Sequence, residues 1–416
     1  MKIVEKYKSV SLILRILCGL VIGALLGLFA KDLRIVPQLG TLFVGALKAI
    51  APVLVFVLVI SALAQGTSKL DRRFGLVIGL YMLSTLLASI VAIVGSYLFP
   101  QTLKLTEAAT QAAPTGVGEV LGNLLQNLVQ NPLAAVAGGN YIGILFWAVV
   151  IGLTAKKIAG DATKAMLKDI SDIISKIVSG IIELAPFGIL GLVYTNVATN
   201  GLSIFTDYGK LLMLLVGAML VVALVVDPLI AAIVLRRNPY PLVWRCLKNS
   251  GLTAFFTRSS AANIPVNMAF CEKLGLDREM YAVSIPLGAT INMDGAAVTI
   301  AVMTLAAVNT VGIQVPFFTA LMLAIIATVA ACGSSGVAGG SLLLIPMACS
   351  LFGVSADVAM QTVAVGFIIG VVQDSLETAI NSSGDVLFAA TAEYAQWKKE
   401  GKPLPTFLGG THQTEA

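Results

Sequence analysis

Residues Gly295 to Ala356 read GAAVTIAVMTLAAVNTVGIQVPFFTALMLAIIATVAACGSSGVAGGSLLLIPMACSLFGVSA, 62 residues without one charge. At about 1.5 Å per residue, a straight helix of that length would be about three bilayers long, so the run must fold back on itself. Its punctuation marks where. The polar, turn-rich stretch Asn309 to Pro316 ends one apolar segment; Phe317 to Ala331 and Leu342 to Leu351, each shorter than a crossing, then flank GSSGVAGGS at Gly333 to Ser341. Two half-helices meeting at a Gly/Ser tip read as a re-entrant hairpin, whose open backbone has to line a cavity inside protein. The competing reading is a flexible external loop, and the apolar character of both flanks stands against it.

The rest of the chain has the same character. It holds 416 residues, 57% hydrophobic and 12% charged, with a mean hydropathy of +0.93, which places it in the membrane class. Eight spans are expected, near 12–30, 38–64, 74–99, 140–155, 177–198, 209–235, 280–308 and 358–392. Phe74 to Leu103 and Ala49 to Ser68 contain no charged residue, and each reaches the roughly 20 residues that a crossing needs. The first run, about Leu12 to Ala30, follows Lys2, Lys6 and Lys8 as a secretory signal would, but it is too long and lacks a small-residue cleavage site. With the N-terminus inside, 20 basic residues fall in inner segments and four (Lys31, Arg34, Lys104, Lys210) outside, the expected positive-inside bias, so both termini are expected in the cytoplasm. The net charge of +5 is spread over these short loops and calls for no nucleic-acid partner. Five cysteines without ligand spacing and a single histidine, His412, exclude structural zinc, haem and histidine-dependent nucleophilic catalysis.

A second hairpin is expected at Val243 to Leu274, around TRSSAANIP at Thr257 to Pro265. This one is approached from the basic side of the membrane and the later one from the other side. Each precedes a span with polar residues in its middle, TINMDG after the first and TAINSSGD after the second. A hairpin followed by a broken helix, twice and in opposite orientation, is the pattern of an inverted-repeat secondary transporter.

Within QDSLETAINSSGD, the residues Asp374, Glu377, Thr378, Asn381 and Asp385 fall within an arc of about 100° on one helix. An ionised group at the bilayer centre costs about 3 kcal/mol on insertion scales, so three acids on one face need compensation. For Asp374 and Glu377, pairing with Arg258 competes with a functional reading. Asp385, and Asp294 in GATINMDGA (Gly288 to Ala296), have no other basic residue in the neighbouring spans. Sodium, which favours oxygen ligands taken from broken helices, compensates such acids directly. Gly288 and Gly295 suit local unwinding of the seventh span, or else close helix contacts. Tyr81, Ser84 and Thr85 add hydroxyls to one helix face, a pattern that by itself also serves interhelical packing.

TRSSAANIP, GATINMDG, GSSGVAGG and DSLETAINSSGD, in this order and topology, closely resemble the dicarboxylate/amino acid:cation symporter family, the glutamate-transporter fold, over nearly the whole chain; the wording is most similar to its bacterial sodium:serine/threonine branch. The resemblance implies an all-α membrane protein with eight transmembrane helices and two re-entrant hairpins, a homotrimer in the bacterial inner membrane working by an elevator motion. Residues 1–73 and 100–200 would form a static scaffold, and 74–99 with 201–416 a moving transport domain. It further implies three sodium sites: Gly288, Asn292, Asn381 and Asp385; Tyr81, Ser84, Thr85, Asn292 and Asp294; and Thr290 with carbonyls near Ala331, Cys332 and Ser334. For the substrate it implies Asp374 on an α-ammonium and Asn381 on an α-carboxylate, with Ser259, Ser260 and the stretch Gly336, Val337, Ala338 and Gly339 at the tips, beside Glu377 and Thr378.

One departure bears on the substrate. Acidic-substrate members carry arginine where this chain has Glu377, and threonine where it has Ala296. A distal carboxylate beside Glu377 would meet like charge instead of a guanidinium fork, so a small neutral amino acid such as serine or threonine is expected. Glu377 then either accepts a hydrogen bond from a substrate hydroxyl or pairs with Arg258. The rival readings are a sodium- or proton-coupled dicarboxylate or acidic amino acid carrier, an intramembrane aspartyl protease and, more remotely, a channel. The protease wants GxGD where the chain has Ser382-Ser383-Gly384-Asp385.

Overall fold

The computed structural model describes residues 10, 12–30, 32–65, 72–105, 129–138, 140–201, 203–334 and 339–413. Lys2, Lys6, Lys8, Lys31 and Lys69 of the charge argument, and Gly336, Val337 and Ala338 of the outer hairpin tip, lie outside them. Among the described residues the regular structure is helical, apart from one isolated bridge between Pro405 and His412.

Helices occupy each of the eight apolar runs. In chain order they are α1 (Leu12–Phe29), α2 (Ile35–Ala64), α3 (Arg72–Leu98), the short α4 (Pro132–Gly138), α5 (Tyr141–Ile158), α6 (Asp161–Ile182), α7 (Ala185–Asn200), α8 (Ser203–Val221) and α9 (Asp227–Leu235). A π-helical turn, Val222–Val226, joins the last two. Among the described residues, four stretches are long and apolar enough to cross a membrane, 73–98, 206–235, 278–310 and 356–399; α6 with α7, bent by 51°, makes a fifth if the pair is one span. The run expected as a single span at 177–198 is therefore divided. Pro186 sits in the first turn of α7, a position that starts a helix but cannot continue one. The stretch before that run, whose Lys164, Lys168 and Lys176 were counted with the inner segments, is helix α6, with Lys168 and Lys176 exposed.

Both expected hairpin sequences consist of short helices on either side of their small and polar residues. In the first, α10 (Tyr240–Cys246), a π-helical turn (Leu247–Gly251) and α11 (Leu252–Thr257) lead to Arg258 at φ 51° and to Ser259. The Ser259 side chain accepts from Ala262 N–H and starts α12 (Ser260–Lys273). In the second, α15 (Phe317–Ala331) reaches the Gly/Ser tip, and a 3₁₀ turn at Gly340–Leu344 leads into α16 (Ile345–Ser350).

Between the hairpins the seventh span is interrupted. α13 (Arg278–Ile291) ends at Asn292 (φ −93°, ψ 83°), and α14 begins afresh at Asp294 and runs to Thr310. The freed backbone is satisfied from outside: Asn381 Oδ1 accepts from Gly295 N–H at 2.8 Å. Every residue from Asp294 to Val308 is buried, as an all-round apolar helix at the centre of a bundle must be. The final span does not share the interruption. α17 (Ala356–Lys399) is one helix of 44 residues, so the break expected at TAINSSGD is absent. No proline lies in it, and its Gly384 serves close packing: a Cβ there would stand 2.7 Å from Asn292 Nδ2.

The helices share one apolar core, in which Phe43 of α2 meets Phe367 of α17 edge-on at 5.3 Å. α1 lies along α7, and α2 packs on α5, α6 and α7. α14 packs on α3, α15 and α17, and α17 also meets α9, α11, α12 and α13.

Candidate functional site

The break between α13 and α14 meets the middle of α17 and one face of α3, and the polar residues of all three converge there. Asn292, freed from helical geometry, donates through Nδ2 to Asn381 O at 3.0 Å and Asp385 Oδ1 at 3.1 Å. Tyr81 donates its hydroxyl to Asp385 O at 3.0 Å. A Cβ on Gly288 would lie 2.6 Å from Asp385 Oδ1 and 2.9 Å from the Tyr81 hydroxyl, so glycine is what lets that carboxylate reach the α13 backbone. Gly295, by contrast, packs against the α17 backbone at Glu377. Asn292 Oδ1 and Asp385 Oδ2 are buried and accept no hydrogen bond from the described residues.

One turn away, Asp294 is gripped by two α3 hydroxyls, Ser84 at 2.6 Å and Thr85 at 2.8 Å. Met293 N–H donates to Thr85 Oγ1 at 3.3 Å and locks the break to α3. The Ser84 hydroxyl also lies 2.8 Å from Oδ1 of Asp227, a buried acid from α9. Among the described residues no Lys, Arg or His nitrogen comes within 4 Å of Asp227, Asp294 or Asp385. Oxygen atoms thus surround uncompensated negative charge, the donor chemistry of a hard monovalent cation.

The third expected set meets less fully. Thr290 turns its hydroxyl onto Leu287 O at 2.7 Å, and Ser334 donates to Ala331 O. Cys332 Sγ, 3.8 Å from Ile291 O, seats the end of α15 on the end of α13 and so brings Ala331 and Ser334 towards Thr290.

Beside these acids Ser259 and Ser260 approach Ser334 over α17. Arg258, Ser259, Ser260, Met293, Ser334, Asp374, Glu377, Thr378 and Asn381 line a polar cavity of about 20 Å³, near the room one water occupies. Within it Arg258 Nε meets Asp374 Oδ2 at 2.6 Å, while Asp374 Oδ1 accepts from Gly339 N–H at 3.0 Å. Thr378 bonds back to Asp374 O at 2.8 Å. The pairing of Glu377 with Arg258, one of its two expected roles, does not occur. Its Oε2 instead accepts from Thr299 and Ser341, both at 2.8 Å, and from Gln373. The guanidinium goes to Asp374 because the turn at Arg258 delivers it there, while three neutral donors already hold Glu377.

Sequence reasoning did not anticipate Thr299, Ser341, Gln373 or Asp227 here. The first three are ordinary small polar residues whose partner is set only by packing. Asp227 carried a signal, since it is the only charged residue between Leu211 and Leu235.

The description of the family model that matches residues 12–394 is "Sodium:dicarboxylate symporter family". A "Serine/threonine transporter SstT" of Bifidobacterium adolescentis is 61% identical over 407 residues, covering 98% of this chain and 95% of the relative. A protein of the same name from Streptococcus agalactiae is 56% identical over 401 residues, covering 96% of this chain and all of the relative.

Proposed function

The chain belongs to the sodium:dicarboxylate symporter family, and from that premise we propose that it is a sodium-coupled symporter importing small neutral amino acids, serine and threonine foremost. The observation that carries this reading is the pair of buried carboxylates, Asp294 and Asp385, set among hydroxyl, amide and carbonyl oxygens with no basic partner among the described residues.

In this reading one sodium lies among the Gly288 carbonyl, Asn292, Asn381 and Asp385, and a second among Tyr81, Ser84, Thr85, Asn292 and Asp294. Thr290 and the carbonyls at Ala331, Cys332 and Ser334 serve a third. The ions neutralise the acids and fix Asn292 and Asn381, so a pocket for the substrate exists only when they are in place. That is positive linkage between ion and solute. The membrane potential adds about 2.3 kcal/mol per charge per 100 mV to sodium entry.

The substrate lies between the hairpin tips, at Ser259, Ser260 and the stretch Gly336, Val337, Ala338 and Gly339, over Asp374, Glu377, Thr378 and Asn381. Its ammonium takes Asp374 in exchange for Arg258, and Asn381 receives its carboxylate. An acidic side chain is disfavoured because Glu377 stands where a dicarboxylate needs a cation. The transported molecule is larger than the 20 Å³ cavity, so its entry requires the tips to part, the outer one serving as gate.

We further assign α1, α2 and α5 to α7 to a static scaffold and the remaining helices to a domain that carries the site across the membrane. The packing of α1 along α7 and of α2 on α5, α6 and α7 supports this. The assembly is a homotrimer in the bacterial inner membrane with both termini in the cytoplasm. The test is uptake of labelled serine into sealed proteoliposomes. Accumulation is expected with an inward sodium gradient and none when the gradient is absent; equal uptake in both would overturn the reading.

A further inference from the structure

Asp227 is a buried acid for which this reading has no use. α8 loosens into the π-helical turn Val222–Val226 just before it, and Pro228 follows it. Such a turn changes which way the next residues face and is a frequent mark of functional positions. Here Asp227 faces α3, 3% exposed, with its Oδ1 at 2.8 Å from Ser84 Oγ. The same hydroxyl lies 2.6 Å from Asp294 Oδ2. A serine hydroxyl has one hydrogen, so it satisfies one of these carboxylates and turns a lone pair towards the other.

Positive charge is what the neighbourhood lacks. Among the described residues no basic nitrogen lies within 4 Å of either acid. The adjoining polar atoms without partners, Asn292 Oδ1 and Asp385 Oδ2, are both acceptors. A dry interior tolerates two carboxylates on one hydroxyl only with compensation. A proton on Asp227 would complete the hydrogen-bond chain through Ser84 but leave the Asp294 charge without a counter-charge, whereas a sodium ion takes lone pairs from both carboxylates and the hydroxyl together.

We propose that Asp227 is the second carboxylate of the cation site built on Ser84, Thr85 and Asp294, so that this ion is held between two acids bridged by one hydroxyl. The inference rests on the sodium-coupled reading above.

The test uses the full-length protein in proteoliposomes and the near-isosteric variant Asp227→Asn. The sodium concentration giving half-maximal serine uptake is expected to rise about tenfold or more, equivalent to about 1.4 kcal/mol. The uptake deficit should shrink as sodium is raised. In detergent, the ion-free variant is expected to melt higher than the ion-free parent, since one uncompensated acid is gone, and to gain less from added sodium.

An unshifted sodium requirement in Asp227→Asn overturns the proposal. So does a variant that no longer folds, because that outcome makes Asp227 a structural hydrogen-bond partner. A parent protein indifferent to sodium would remove the functional reading and this one together, whereas a sodium-dependent parent with an unshifted variant removes only this one.

Discussion

Glu377 is where the chain's specificity is most exposed to test. Three neutral donors hold one of its oxygens, and it borders the cavity beside Asp374 and Thr378. If the glutamate accepts a hydrogen bond from the substrate's hydroxyl, Glu377→Gln should lower serine uptake relative to alanine by about tenfold, since a hydrogen bond to a charged group contributes about 1.5–3 kcal/mol. An unchanged serine-to-alanine ratio would remove the recognition role. Gly288 tests the ion side. The methyl of Gly288→Ala would press on Asp385 Oδ1 from 2.6 Å, and overpacking of this kind costs about 1–3 kcal/mol, so the sodium requirement for uptake should rise severalfold. At this scale the sequence was informative about which residues are anomalous. Acids in an apolar run stand out because burial of charge is costly. It offered Arg258 as a partner for Asp374 or Glu377 without deciding between them, since that depends on where a turn delivers a side chain: Arg258 reaches Asp374 and not Glu377.

Among the elements, the short helices flanking the Gly/Ser stretches were legible because small residues and prolines punctuate apolar runs too short to cross a bilayer. The α13–α14 break at Asn292 follows from GATINMDG, but the same reasoning failed for α17. A glycine near polar residues signals either unwinding or a close contact, and only the neighbouring helix decides which. Gly384 lies against Asn292, so α17 stays whole. Another close contact offers a prediction about the proposed scaffold. Gly19, Gly23 and Gly27 repeat at every fourth residue of α1, and a Cβ on Gly23 would stand 2.5 Å from Leu190 O on α7. Close backbone approach through small residues is how apolar helices associate without a hydrophobic driving force. Gly23→Leu should therefore force α1 from α7 and lower the melting temperature of the purified protein by several degrees, whereas Gly45→Leu, which meets nothing within 4 Å, should not.

For the molecule as a whole, composition and loop charge spoke clearly for a membrane protein, and the family match agrees with the motifs that carried the resemblance. The proposed trimer and moving domain were beyond reach of the residues alone, because such properties belong to faces that one chain does not display against themselves. The account's central claim is that buried acids call for cations whose binding forms the pocket for a zwitterion. Linkage makes this reciprocal: sodium must tighten serine binding by the same factor as serine tightens sodium binding. The most direct measurement is titration calorimetry of serine into the purified protein, in sodium buffer and again with choline in its place. The account predicts binding in sodium and a loss of at least a hundredfold in affinity in choline. Equal affinity in the two buffers would contradict it.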